Sequence, residues 1–90
     1  MKKPSQRQRE LLERLAAGAV VEVCTNYGEW HARVGKRSTL RKEPVRKDTF
    51  LACRQAKWVR LSLRGWINDY VCEYVITAAG RKSLSHADSQ

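Results

Sequence analysis

Residues 19–34, AVVEVCTNYGEWHARV, contain two runs of strand-forming residues separated by a short turn. The first run is rich in β-branched valines, and the second alternates apolar and polar residues from Trp30 to Val34. Asn26 and Gly28 suit a tight hairpin turn, because both residue types tolerate a left-handed backbone. We therefore predict a β-hairpin over residues 19–34, with its second strand half-buried.

Helices are predicted on both sides of this hairpin. Ser5 and Gln8 have the spacing of a capping box at the start of the first helix, and Gly18 is a typical helix stop. Residues 45–59, VRKDTFLACRQAKWV, place apolar residues on one helical face and basic residues on the other. The intervening residues 35–44 are polar and basic, and we expect a loop there.

A second hairpin is predicted over residues 58–76, where two alternating runs flank the turn sequence RGWIND. Thr77 then caps a short final helix over residues 78–84. We expect a single domain over residues 5–84, with a flexible basic leader at residues 1–4 and a flexible tail at residues 85–90.

The length and composition of the chain limit the classes of protein to which it can belong. Ninety residues with 42% apolar content predict one small globular domain. No apolar run is long enough for a membrane helix or a signal peptide, so we expect a cytoplasmic location. The cysteines, Cys24, Cys53 and Cys72, lack the paired spacing of a disulfide or zinc framework and are predicted to be reduced, with no metal. No catalytic constellation or phosphate loop is present, which predicts a protein that is neither an enzyme nor a cofactor carrier.

Positive charge is concentrated in the middle of the chain. The whole chain has a net charge of +9. Eleven basic and only two acidic residues lie between Arg33 and Arg64, so this stretch carries the entire excess and the flanks are balanced. A general need for solubility would not concentrate charge in this way. The distribution therefore predicts a polyanionic partner, with nucleic acid favoured over a membrane or an acidic protein.

Two motifs resemble those of small bacterial and phage winged-helix proteins. The first is V-x-x-x-T-Φ, where Φ is apolar, followed by W-V; the second is Y-V-I-T-x-x-G-R-x-x-L. A predicted hairpin occupies the region where that family usually has the helix preceding its recognition helix. The residues that carry the resemblance are Val45, Thr49, Phe50, Trp58, Val59, Tyr74, Ile76, Thr77, Gly80, Arg81 and Leu84.

The resemblance implies an α+β, winged-helix-like domain in which a basic recognition helix leads into a β-hairpin wing. It also implies a homodimeric transcriptional regulator of bacterial, plasmid or phage origin that binds double-stranded DNA. The residues expected to contact phosphates or base edges are Arg41, Lys42, Arg46, Lys47, Arg54, Gln55, Lys57, Arg60 and Arg64.

Other functions remain open from the sequence. An excisionase-like architectural factor would bind DNA with less sequence selectivity, and a phage or plasmid accessory protein would bind a host protein as an inhibitor or adaptor. An RNA or ribosome partner is a weaker alternative. Among the aromatic residues, Trp66 is expected to fold back on the core, and Tyr27 and Trp30 are expected in the core or in a dimer interface.

Overall fold

The structure is a computed structural model that describes residues 3–26, 28–37 and 39–88. It contains three helices and five strands in an α+β arrangement. No helix in the described part of the chain is long and apolar enough to cross a membrane. In chain order, the elements are α1 (Gln6–Ala16), β1 (Val20–Asn26), β2 (Glu29–Gly35), β3 (Glu43–Val45), α2 (Lys47–Gln55), β4 (Val59–Trp66), β5 (Val71–Ile76) and α3 (Ala78–Asp88).

All five strands form one antiparallel sheet in the order β3-β2-β1-β5-β4. The central strand β1 pairs with β2 on one side and with β5 on the other, so that Val21 lies opposite both Val34 and Tyr74. Both predicted hairpins are present, and this β1–β5 ladder joins them into a continuous sheet.

The predicted winged-helix architecture is wrong. The hairpin expected to be a wing consists of β4 and β5. These are two of the five strands of the sheet, and β5 supplies core residues. The physical reason is that β1 and β5 both present apolar side chains to the same face. Pairing the two strands satisfies their backbone groups and buries Val21 and Val23 beside Cys72 and Tyr74.

The helices pack together against one face of this sheet. Leu11, Leu12 and Leu15 form the buried stripe of α1 and join the inward-facing strand residues in a single core cluster. The predicted capping box is confirmed, since Gln8 N donates to Ser5 Oγ at 3.3 Å and Ser5 N donates to Gln8 Oε1 at 2.9 Å. These contacts fix the start of α1 and direct its apolar stripe onto the sheet.

Helix α2 crosses the same face and buries Thr49, Phe50 and Cys53, as its spacing predicts. The helix ends at Gln55, and Lys57, just beyond its C-cap Ala56, lies in the left-handed region with a φ of 64°. Trp58 N donates to Cys53 O at 2.9 Å across this turn, which closes the helix and turns the chain into β4. Lys57 therefore occupies a backbone position that usually favours glycine.

The start of α3 is tied to the start of β4. The Thr77 hydroxyl donates to Lys57 O at 2.8 Å and accepts from Gly80 N at 3.0 Å, which confirms the predicted cap. Helix α3 continues to Asp88, beyond the predicted end at residue 84. Thr77 thus sets how the chain leaves β5 and how α3 meets the sheet.

Replacing Gly80 by alanine is expected to lower the free energy of unfolding by about 1–3 kcal/mol, because a well-packed backbone has no room for the added methyl group. That methyl carbon would lie 2.7 Å from Ile76 Cγ1 and still closer to the main-chain oxygen of Trp58. Urea unfolding monitored by tryptophan fluorescence measures the change. Ser85→Ala, at an exposed position of the same helix, is the control and should change stability by less than about 0.5 kcal/mol. Equal stability of the two variants would contradict the close approach.

Candidate nucleic-acid interface

The sheet has one face on which no helix lies within the described residues. The core cluster unites all three helices with inward-facing strand residues such as Val23 and Ala32. Alternate strand residues point the other way. We call this second side the open face. Its polar residues include Glu22 of β1, Arg33 of β2, Arg60, Ser62 and Arg64 of β4, and Glu73 of β5.

A buried carboxylate lies in the middle of the open face. Glu73 is fully buried, and Arg37 holds it through two hydrogen bonds, from Nε to Oε2 at 2.9 Å and from Nη2 to Oε1 at 2.6 Å. Arg64 Nη1 lies 3.7 Å from Oε2. Burial raises the pKa of the Glu73 carboxyl, but the hydrogen bonds from Arg37 and Ser62 and the charges of Arg37 and Arg64 outweigh burial, so this pKa lies below its ordinary value. Glu73 is therefore a charged group within a network of cations.

A second carboxylate stands directly beside the first. Glu22 is the ladder partner of Glu73, and like charges in this position repel. Lys42 offsets the repulsion, because its Nζ lies 3.4 Å from Glu22 Oε2 and also donates to Thr39 O at 2.6 Å. A side chain at Gly35 would collide with Lys42 Cγ at 2.8 Å. Glycine at this position thus lets the β2–β3 connection fold back over the open face and deliver Arg37 and Lys42.

The cations on the open face outnumber these two carboxylates. Arg33 lies opposite Glu22 in the β1–β2 ladder and is exposed. A cavity of about 400 Å³ opens between β4, β5 and the β2–β3 connection. Its lining consists of Arg37, Arg60, Ser62, Leu63, Arg64 and Val75. The open face therefore presents a surplus of guanidinium groups from separate segments of the chain.

The predicted site residues of α2 lie on the helix side of the sheet. Arg46 pairs with Asp48, with Nε to Oδ1 at 3.1 Å, and this hydrogen bond contributes most to holding the pKa of Asp48 below its ordinary value. Lys47 Nζ lies 5.5 Å from the centre of the Trp30 ring, and the Arg54 guanidinium lies 5.9 Å from the centre of the Tyr74 ring. Such cation–π contacts stabilise packing and leave part of each cation in water.

The structure divides the predicted site residues between two sides of the molecule. Lys42, Arg60 and Arg64 belong to the open face and its bordering connection, which also contains exposed Arg41. The helix side holds the other predicted residues, Arg46, Lys47, Arg54, Gln55 and Lys57. The predicted set is therefore not a single surface.

Arg33, Arg37 and Glu73 were not predicted as site residues. Strand alternation was a usable signal for Arg33, because its neighbours Ala32 and Val34 face the core. No local signal marks Arg37 or Glu73, whose contact joins residues 36 positions apart. A glutamate in an alternating strand ordinarily indicates a solvated position.

The aromatic predictions had different outcomes. Trp66 was expected to fold back on the core, but its exposed fraction is 55%, so this expectation is wrong. Trp66 lies beyond a register shift that interrupts the β4–β5 ladder after Leu61. Trp30 packs against the core with its ring centre 5.7 Å from that of Phe50, which confirms a core position. The prediction for Tyr27 lies outside the described residues.

The cysteines are free thiols, with Cys53 and Cys72 buried and Cys24 half-buried. Burial raises the pKa of the Cys53 thiol to about 11, so this thiol is protonated and unreactive at neutral pH. Within residues 3–26, 28–37 and 39–88, no three side chains of histidine, cysteine, aspartate or glutamate are grouped to hold a metal ion.

The open face is the surface of the described structure in which basic side chains from separate segments converge. Its features are an arginine-lined cavity, a buried carboxylate that orients two of the arginines, and exposed Arg33 on β2, which β1 separates from β5. Comparisons of the chain with protein-family models, with curated proteins and with solved structures gave no match.

Proposed function

We propose that this protein binds double-stranded DNA through the open face of its sheet. The observation that supports the proposal most strongly is the convergence of four arginines from β2, the β2–β3 connection and β4 on a side free of helices in the described residues. They are Arg33, Arg37, Arg60 and Arg64. A polyanion with regularly spaced charges complements this arrangement, and duplex DNA has such spacing.

The chemistry of these side chains suits a phosphate backbone. A guanidinium presents several N–H donors in a planar fork and binds phosphate oxygens in pairs. Arg33 and Arg60 have no acidic partner within 4 Å among the described residues, so their donors are available to a ligand. Sheets and β-ribbons are known to dock on DNA grooves, so the proposed mode does not need a recognition helix.

Salt dependence is the first test of this function. We expect wild-type protein to bind a random-sequence 20-bp duplex with a log–log salt slope of about −4, because four arginines would each neutralise one phosphate at about −0.9 per contact. Fluorescence anisotropy between about 50 mM and 200 mM salt measures the slope. The absence of duplex binding at the lowest salt concentration would contradict the proposal, and so would a slope near zero.

The biological role is tested by sequence selectivity. Transcriptional regulation, which the sequence resemblance implies, requires that one DNA sequence be preferred over the competing genomic sites. Selection of bound duplexes from a random library is expected to enrich a single motif under this role. Binding without any enriched motif would contradict the regulatory role and support an architectural DNA-binding factor.

A further inference from the structure

We propose that the cavity between Arg37, Arg60 and Arg64 is a binding site for one phosphate group, and that a backbone phosphate of DNA occupies it. This inference rests on the proposed function and identifies the contact that would anchor DNA on the open face. We call the site the arginine cavity. Its remaining lining residues are Ser62, Leu63 and Val75.

The arginines of the arginine cavity carry more positive charge than the carboxylate of Glu73 neutralises. Arg37 alone makes two hydrogen bonds to Glu73 and so satisfies both carboxylate oxygens. Arg64 is 3.7 Å from Glu73, beyond hydrogen-bond distance, and Arg60 has no acidic partner among the residues that the structure describes. Three guanidinium groups facing one carboxylate leave a net charge of about +2, which an external anion would compensate.

Hydrogen-bond donors in the cavity remain available for that anion. Arg37 uses Nε and Nη2 on Glu73, which leaves Nη1. The Ser62 hydroxyl accepts from Gly65 N at 3.2 Å and is also hydrogen-bonded to Glu73, so the donors left for an anion belong to the arginines. Arg60 Nη1 donates to Leu61 O at a long 3.3 Å, so its other N–H groups are uncommitted. These guanidinium donors suit the two non-bridging oxygens of a backbone phosphate in number and charge.

The apolar part of the lining favours a phosphodiester over a free phosphate ion. Leu63 is 98% exposed at the edge of the cavity, and Val75 is half-buried beside it. A free phosphate ion has no apolar group to cover these side chains. A backbone phosphate carries a deoxyribose on each side, and contact with a sugar would remove the Leu63 methyl groups from water.

The first arm of the test uses inorganic phosphate as the probe. NMR titration of the wild-type chain is expected to shift the Nε–Hε signals of Arg37, Arg60 and Arg64 with saturation in the millimolar range. The signal of Arg7, an exposed arginine of α1, should not move. Arg60→Gln should weaken phosphate binding at least fivefold, and Arg7→Gln should not change it. Equal shifts of all four signals would overturn the site, because they would show only nonspecific screening.

The second arm uses the 20-bp duplex with the same variants. Arg60→Gln and Arg64→Gln should each weaken duplex binding about tenfold at low salt and reduce the salt slope by about one contact, whereas Arg7→Gln should have little effect. If the wild type binds duplex but the cavity variants bind as well as the wild type, the arginine cavity is overturned and the proposed function stands. If inorganic phosphate saturates the cavity but no duplex binds, the assignment of the bound phosphate to DNA is overturned, and so is the proposed function.

Discussion

Replacing Phe50 by alanine is expected to lower the free energy of unfolding by about 3–5 kcal/mol, which is the usual cost of removing a buried aromatic ring. Phe50 is 1% exposed. Its ring contacts Tyr74 edge-on at a centroid distance of 5.0 Å and Trp30 at 5.7 Å. Because this ring fixes α2 to both β5 and β2, alanine would leave a cavity that the neighbouring strands cannot close.

Guanidinium unfolding monitored by tryptophan fluorescence measures this loss. The expected cost is a large part of the total stability of about 5–15 kcal/mol that is typical of single domains. Leu51→Ala on the same helix is the matched control, because Leu51 is 38% exposed and its truncation removes less buried surface. The control should cost less than about 1.5 kcal/mol. Similar losses for the two variants would contradict the position of Phe50 at the centre of the core.

The sequence predicts the local elements well, because each one depends on neighbouring residues. The Ser5–Gln8 capping box, the turn at Gly28 and the Thr77 cap are all set within a few positions of the chain. The pairing of the two hairpins depends instead on the contact between Val23 and Cys72, residues far apart in sequence. Alternation predicts two half-buried strands but does not say which strand each of them joins.

The resemblance to winged-helix proteins was misleading for a related reason. Its best-matched residues, Thr77 and Gly80, specify a junction at which a strand ends and a helix begins close to a neighbouring backbone. That junction is a local solution that more than one topology can use. The motif therefore predicted the turn into α3 correctly and the fold incorrectly.

The candidate site was only partly predictable. The charge block between Arg33 and Arg64 is visible in the sequence, but helix and strand periodicities send its members to opposite sides of the sheet. The arginine cavity further depends on the fold-back of the β2–β3 connection, which Gly35 permits and which places Arg37 on Glu73. Long-range packing decides this contact, and no local pattern signals it.

Two variants with equal loss of charge are expected to show which side of the sheet binds DNA. The open-face variant is Arg33→Gln, Arg60→Gln and Arg64→Gln; the helix-side variant is Lys47→Gln, Arg54→Gln and Lys57→Gln. The open-face variant should bind the 20-bp duplex at least about 100-fold more weakly than wild type, because it loses three charge-assisted phosphate contacts. The helix-side variant should lose less than about tenfold through the lower net charge alone.

Arg37 is retained in both variants, because it satisfies the buried carboxylate of Glu73 and its removal would confuse binding with folding. Thermal unfolding of each variant controls for the fold. The salt slope gives an independent measure, since it should fall from about −4 to about −1 in the open-face variant and stay near −4 in the helix-side variant. A greater loss of affinity in the helix-side variant would show that DNA binds at α2 and not at the open face. Equal losses in the two variants would indicate diffuse electrostatic attraction, because neither face would then hold a defined set of phosphate contacts.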